Sequence, residues 1–173
     1  MVTIISGTNR PGSNTLKVAK YYQQVLQKKG QETAILDLTD LPENFIQTDM
    51  FGKRTEAFAA ILRSLDRSEK FVFIIPEYNG SFPGVLKAFI DACDFPGSFY
   101  DKKACLVGIS SGKYGNIRGI DHFVGVCGYL HMHVLPLRLH IPAIKTELDE
   151  DNNFFKEDTL KFSGEQIEKF IAF

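Results

Sequence analysis

Ser6-Gly7-Thr8-Asn9-Arg10-Pro11-Gly12-Ser13-Asn14-Thr15 lies between an apolar run, Val2 to Ile5, and a segment of helical periodicity that begins near Leu16. That position makes it a strand-to-helix turn. Gly7 and Gly12 relieve the backbone, Thr8, Ser13, Asn14 and Thr15 bring short polar side chains, and Arg10 adds a fixed positive charge. The first N–H groups of a helix have no intrahelical acceptor and the helix dipole favours an anion there, so the stretch reads as a phosphate cradle. Gly7 and Gly12 have Walker A spacing, but Ser13 stands where that loop needs lysine. Asn9 occupies the position of the second glycine of a dinucleotide fingerprint, which excludes that loop as well. What remains suits a terminal phosphate monoester; the alternative is an ordinary polar loop with a good N-cap.

The rest of the chain sets limits on this reading. Its 173 residues fit one domain, 1–173, with a sizeable core, and show no linker or repeat. Lys and Arg total 20 against 21 Asp and Glu, a net charge of -1 that favours neither nucleic acid nor an anionic membrane. No apolar run is long enough to cross a bilayer, and the first strand carries no basic leader, so a cytoplasmic protein is expected. Cys93, Cys105 and Cys127 form no Cys-x-x-Cys pair, which points to reduced, partly buried thiols.

Beyond the cradle, Val18, Ala19, Tyr22, Val25 and Leu26 mark a helix that stops near Gly30, and Thr33 to Leu38 a strand. Asp40 to Gly52 is expected to be irregular, yet it carries Phe45, Ile46, Met50 and Phe51. Arg54 to Arg67 is a helix, Phe71 to Ile75 a strand covered on both faces, and the segment after Pro83 a helix to about Cys93. Ala104 to Ile109 is another buried strand. Ile117 to Leu130 is a helix that Gly119, Gly125 and Gly128 make poor in propensity, so close packing must hold it. His131 to Leu135 is the fifth strand, Pro136 to Asp158 loop, and Thr159 to Phe173 the last helix. Five strands alternating with helices predict a doubly wound α/β fold: an open parallel sheet of flavodoxin-like order 2-1-3-4-5 with helices on both faces. Ligands of such sheets sit outside the carboxyl ends of the strands. The loops there are Ser6 to Thr15, Pro76 to Pro83 and Ser110 to Gly115.

The second loop reads Pro76-Glu77-Tyr78-Asn79-Gly80-Ser81-Phe82-Pro83-Gly84. Its backbone can present N–H and C=O groups in one plane to a heteroaromatic edge, with Tyr78 or Phe82 over a ring face; a tight turn with surface aromatics is the alternative. Ser110 to Gly115 forms a third wall, or a plain glycine-rich turn. With Val85, Leu86 and Lys87 added, this motif together with the N-terminal one resembles the NADPH-dependent FMN reductases, flavodoxin-like flavoproteins. The resemblance runs through about Leu135. It implies that Thr8, Arg10, Ser13, Asn14 and Thr15 hold the FMN phosphate, that Pro76, Glu77, Tyr78, Asn79, Gly80 and Ser81 line the isoalloxazine, and that Ser111 and Gly112 contact the ring. The chain departs from the family at Gly115-Asn116-Ile117-Arg118-Gly119, where members often carry paired glycines, a basic residue and a small one.

Other chemistries fit less well. A low-molecular-weight phosphatase shares this topology but needs Cys-x5-Arg, which is missing. His131 and His133 would share a strand face, yet no third metal ligand stands at a telling spacing. Glu77 and Asp91 are read as surface or capping groups, because hydride transfer through a flavin requires no acid or base. The expected function is therefore FMN-dependent oxidation of NADPH or NADH, with electrons passed to a quinone, azo compound, free flavin or metal ion. An FMN electron carrier, or a member that has lost flavin and serves a structural or regulatory role, is the alternative. The resemblance also implies a homodimer or homotetramer, and the apolar groups Phe45, Ile46, Phe51, Phe95 and Phe99 independently call for a partner's cover.

Overall fold

Apolar runs become strands and periodic segments become helices, in alternation along the chain. A computed structural model describes residues 1–51 and 53–173. Gly52, the last residue of the stretch expected to be irregular, lies outside the described residues. In chain order the elements are β1 (Val2–Ser6), α1 (Asn14–Lys28), β2 (Thr33–Asp37), α2 (Phe45–Thr48), α3 (Glu56–Asp66), β3 (Lys70–Pro76), α4 (Gly84–Ala92), β4 (Lys103–Ile109), α5 (Ile117–Tyr129), β5 (His133–Val134), β6 (Leu139–Ile141) and α6 (Glu157–Ala172). All strand pairs are parallel, in the order β2-β1-β3-β4-β5, and β6 also pairs with β4. This is the flavodoxin-like order, with its switch point between β1 and β3.

Side chains alternate across the strands, so each central strand feeds two cores. Ile5, Phe71, Phe73, Ile75 and Leu106 pack with residues of α3, α4 and α5 on one face. Ile4, Val72, Ile74, Val107 and Ile109 pack with α1 and α6 on the other. α1 buries Val18, Ala19, Tyr22 and Leu26 and α3 buries Phe58, Leu62 and Leu65, as their sequences predict, whereas in α6 Ile167 and Phe170 are buried but Leu160, expected on the same stripe, is exposed. Ser13 caps α1 by accepting the Leu16 N–H at 3.2 Å.

The fifth sheet position departs from the expected single strand over His131 to Leu135. His131 is left-handed, φ 55°, and lies before the strand. β5 pairs only with Lys103 and Ala104, and β6, inside the stretch expected to be loop, pairs with Val107, Gly108 and Ile109. Pro136 separates them; it has no N–H for the ladder, and the chain leaves the sheet there. Gln166 of α6 fills the break. Its side-chain amide donates to the carbonyls of Leu106 at 3.1 Å and Leu137 at 2.9 Å, and its carbonyl accepts the Tyr22 hydroxyl at 2.7 Å. Without it, two carbonyls at the edge of a dry core lose their donor, at about 1–3 kcal/mol for each group left unpaired.

Two aromatic residues expected to need cover from a partner are core residues of this chain. Phe45 stacks on Phe58, and Phe99 packs edge-on against Phe71 and Phe89, both inside the α3–α5 core. The loops that carry them fold inward because each large ring there gains more from burial than its loop loses in freedom. Ile46, Phe51 and Phe95 remain exposed.

Candidate functional site

Four loops converge at the carboxyl ends of the strands. They enclose a cavity of about 700 Å3, within the span of roughly 300–1,000 Å3 usual for ligand sites. Thr8, Arg10, Ser13, Asn14 and Thr15 come to it from the first loop and α1, Pro76, Glu77, Tyr78 and Asn79 from the end of β3, and Ser111 from the loop after β4. The other three residues singled out in the sequence lie beside the cavity without lining it. Gly80 is left-handed, φ 76°, next to the Arg118 guanidinium. Ser81 closes a turn with Tyr78 and pairs its hydroxyl with His122 Nδ1 at 2.9 Å. The Gly112 carbonyl accepts the Ala143 N–H at 2.9 Å.

Several of these groups spend their hydrogen bonds on the walls themselves. Thr8 is buried, and its hydroxyl meets the Tyr78 hydroxyl at 2.6 Å, which ties the first loop to the second. Tyr78 is thereby held by its tip. Ser110 Oγ donates to the Gly112 carbonyl at 3.0 Å and accepts the Gly115 N–H at 2.9 Å, so the third loop is internally braced. The donors at the α1 end include its first N–H groups, the Asn14 amide, the Arg10 guanidinium and the Lys17 ammonium. Gly12 is left-handed there, φ 64°, and a side chain at that point would meet no neighbour within 4 Å. One end of the cavity is thus cationic and rich in N–H donors, as an anion requires. The buried side chains of Ile109 and Ile144 line it elsewhere.

Asn116, where the chain departs from paired glycines, takes up the glycine conformation. It is left-handed, φ 62° and ψ 36°, a region that Asn tolerates better than other side chains. Its amide donates to the Ile75 carbonyl at 3.1 Å, which fixes the third loop to the end of β3. Gly119 shows why α5 accepts a residue of poor propensity: a Cβ there would stand 2.7 Å from the Ser81 backbone carbon. Gly125 and Gly128, by contrast, face open space, so close packing does not account for them.

Sequence reasoning missed the fourth loop. Ile144 and Lys145 line the cavity, and their signal was hidden because a three-residue strand between Pro136 and Pro142 has no periodicity to detect. Nucleophilic chemistry has no support among the cysteines. All three are buried, and burial pushes their thiols up, Cys127 to about 12. His131 stacks on Tyr100 at 4.3 Å while His133 sits in β5, so they do not share a strand face.

Comparison with known proteins places this architecture. The sequence profile of the NADPH-dependent FMN reductases matches residues 1–145. The 2-hydroxy-1,4-benzoquinone reductase of a Burkholderia species is 28% identical over 68% of this chain, a match that spans 66% of that protein's length. A probable NADPH:quinone oxidoreductase 2 of Oryza sativa subsp. japonica is 30% identical over 88% of this chain and 77% of its own. The solved structure of FerB, a flavoenzyme NAD(P)H:(acceptor) oxidoreductase from Paracoccus denitrificans, superposes with a TM-score of 0.83, covering 99% of this chain and 94% of that one. At 22% identity that likeness is one of fold.

Proposed function

The chain belongs to the NADPH-dependent FMN reductase family, and from that premise we propose that it is an FMN-using NAD(P)H oxidoreductase, how its own residues divide the work and which acceptor class they serve. Arg10, the Asn14 amide and the first N–H groups of α1 hold the phosphate; Thr8, Ser13 and Thr15 shape the cradle around it. Pro76, Glu77, Tyr78 and Asn79 form one wall for the ring, Ser111 belongs to another, and Gly80, Ser81 and Gly112 support those walls from behind. The single observation that carries this reading is the convergence of a cationic helix N-terminus and braced, backbone-rich walls on one cavity. Bound there, FMN supplies hydride acceptance and donation. The protein orients the ring and leaves one access for NADPH or NADH and for the acceptor. A small quinone is the acceptor class we infer, in line with the names of the relatives.

Shared access predicts ping-pong behaviour. With FMN bound, oxidation of NADPH or NADH in the presence of a small benzoquinone should give parallel double-reciprocal plots. A bound flavin that neither nucleotide bleaches under anaerobic conditions would instead make the protein an electron carrier.

We also propose that the protein acts in the cytoplasm as a homodimer or homotetramer. No helix among the described residues is long and apolar enough to cross a membrane. Phe95 and Tyr129 stack on each other, 60% and 77% exposed, beside a groove between α4 and α5. Exposed aromatic surface of this kind favours self-association. Light scattering at micromolar concentration should report at least twice the monomer mass, and a monomer alone would remove the claim.

A further inference from the structure

Lys145 reaches the cavity from the segment after β6, and its placement is enforced by the backbone. Ala143 is left-handed, φ 45° and ψ 43°, without the short polar side chain that eases this region for Asn. Such a conformation persists only where the surroundings over-determine it, and residues of this kind gather at ligand sites. Two bonds hold it: Ala143 N–H to the Gly112 carbonyl at 2.9 Å, and Ile144 N–H to the Ser110 carbonyl at 3.0 Å. Ile144 is buried beneath, and Lys145 follows it into the cavity lining beside Ser110 and Ser111. Among the described residues no carboxylate lies within 4 Å of the Lys145 ammonium. The phosphate end already has Arg10, Lys17 and the α1 N-terminus. A further cation bonded through its own segment to the Ser110–Gly112 wall calls for a second negative charge.

We propose that Lys145 is the residue that favours the reduced over the oxidised flavin. The inference rests on the reading that FMN occupies this cavity with its ring against the Ser110–Gly112 wall. A hydride brings two electrons and one proton to a neutral ring, which leaves one net negative charge on the pyrimidine edge. An ammonium on that side attracts this charge and has no counterpart to attract in the oxidised ring, so its effect falls on the reduction equilibrium. Lys145 is exposed, and salt weakens its contribution.

The test uses the full chain loaded with FMN at low ionic strength, as wild type, Lys145→Met and Lys145→Arg. In Lys145→Met, oxidised FMN and riboflavin should bind within about twofold of wild type. Reduced FMN should bind about tenfold more weakly, which lowers the two-electron potential by about 30 mV. Sulfite adds to the ring at N5 and leaves the same negative charge, so its affinity should also fall about tenfold. Lys145→Arg should keep both values. An unchanged potential and sulfite affinity in Lys145→Met would overturn the inference while leaving flavin binding intact. Weaker FMN with unaltered riboflavin and potential would make Lys145 a phosphate ligand, and overturn it too. Failure of wild type to bind any flavin would remove the inference together with the reading beneath it.

Discussion

Arg10→Ala is expected to weaken FMN by at least about tenfold and to leave riboflavin within about twofold of wild type. The two ligands share the ring and differ in the phosphate. In the proposed cradle the Arg10 guanidinium adds charge-assisted hydrogen bonds to a dianion already held by the α1 N–H groups, each such bond contributing about 1.5–3 kcal/mol. Arg10 is exposed at the rim of the cavity, which places the expected loss toward the lower part of that range. Riboflavin has nothing for Arg10 to hold, because the walls assigned to the ring come from the ends of β3 and β4. Arg10→Lys should fall between, keeping charge and losing the planar fork. Titration by flavin fluorescence quenching checks all of this. If Arg10→Ala weakens both ligands alike, or neither, Arg10 is a solvated side chain and the cradle is assigned wrongly.

Gly108→Ala should destabilise the protein by about 3 kcal/mol, at the upper end of what overpacking usually costs. Gly108 lies in β4 between Ile75 of β3 and His140 of β6. A Cβ added there would stand 2.3 Å from the Gly115 carbonyl oxygen and 2.8 Å from Ile120 Cγ1. Neither can yield freely. Gly115 is itself wedged against the His140 and Ile141 backbone, and Ile120 is fully buried. The third loop must therefore shift as a unit, and FMN affinity should fall with stability. Urea unfolding provides the measurement: at a slope of about 2 kcal/mol/M, the midpoint drops by about 1.5 M. Gly112→Ala is the control, since a Cβ there meets nothing within 4 Å, and it should stay within about 0.5 kcal/mol of wild type. Equal stability of Gly108→Ala and wild type would show that the third loop does not rest on β4 as described.

The sequence alone determined the sheet and the position of its ligand edge. Phe71 to Ile75 and Ala104 to Ile109 are short continuous apolar runs and Val2 to Ile5 is interrupted only by Thr3; runs of this length suit strands buried on both faces, and β1, β3 and β4 contain them. Helical stripes between them force parallel crossovers, and those bring the first three loops to one end. The composition of these loops is the basis for the proposed anion at one end and the proposed flat ring beside it. Tertiary structure decided what depends on groups distant along the chain. β6 is three residues long and exists because the edge of β4 offers unpaired backbone groups that no local pattern records. Phe45 and Phe99 read as apolar groups in need of a partner's cover because their loops have no period, yet burial in a core drawn from α3, β3 and α4 decides their place. Thr8 looked like a free donor until the fold set the Tyr78 hydroxyl against it, and Lys145 became a cavity residue only when the carbonyls of Ser110 and Gly112 bound its segment. Periodicity encodes what a residue does within its own element; hydrogen bonds and close contacts across elements depend on three-dimensional distances that a linear pattern does not carry.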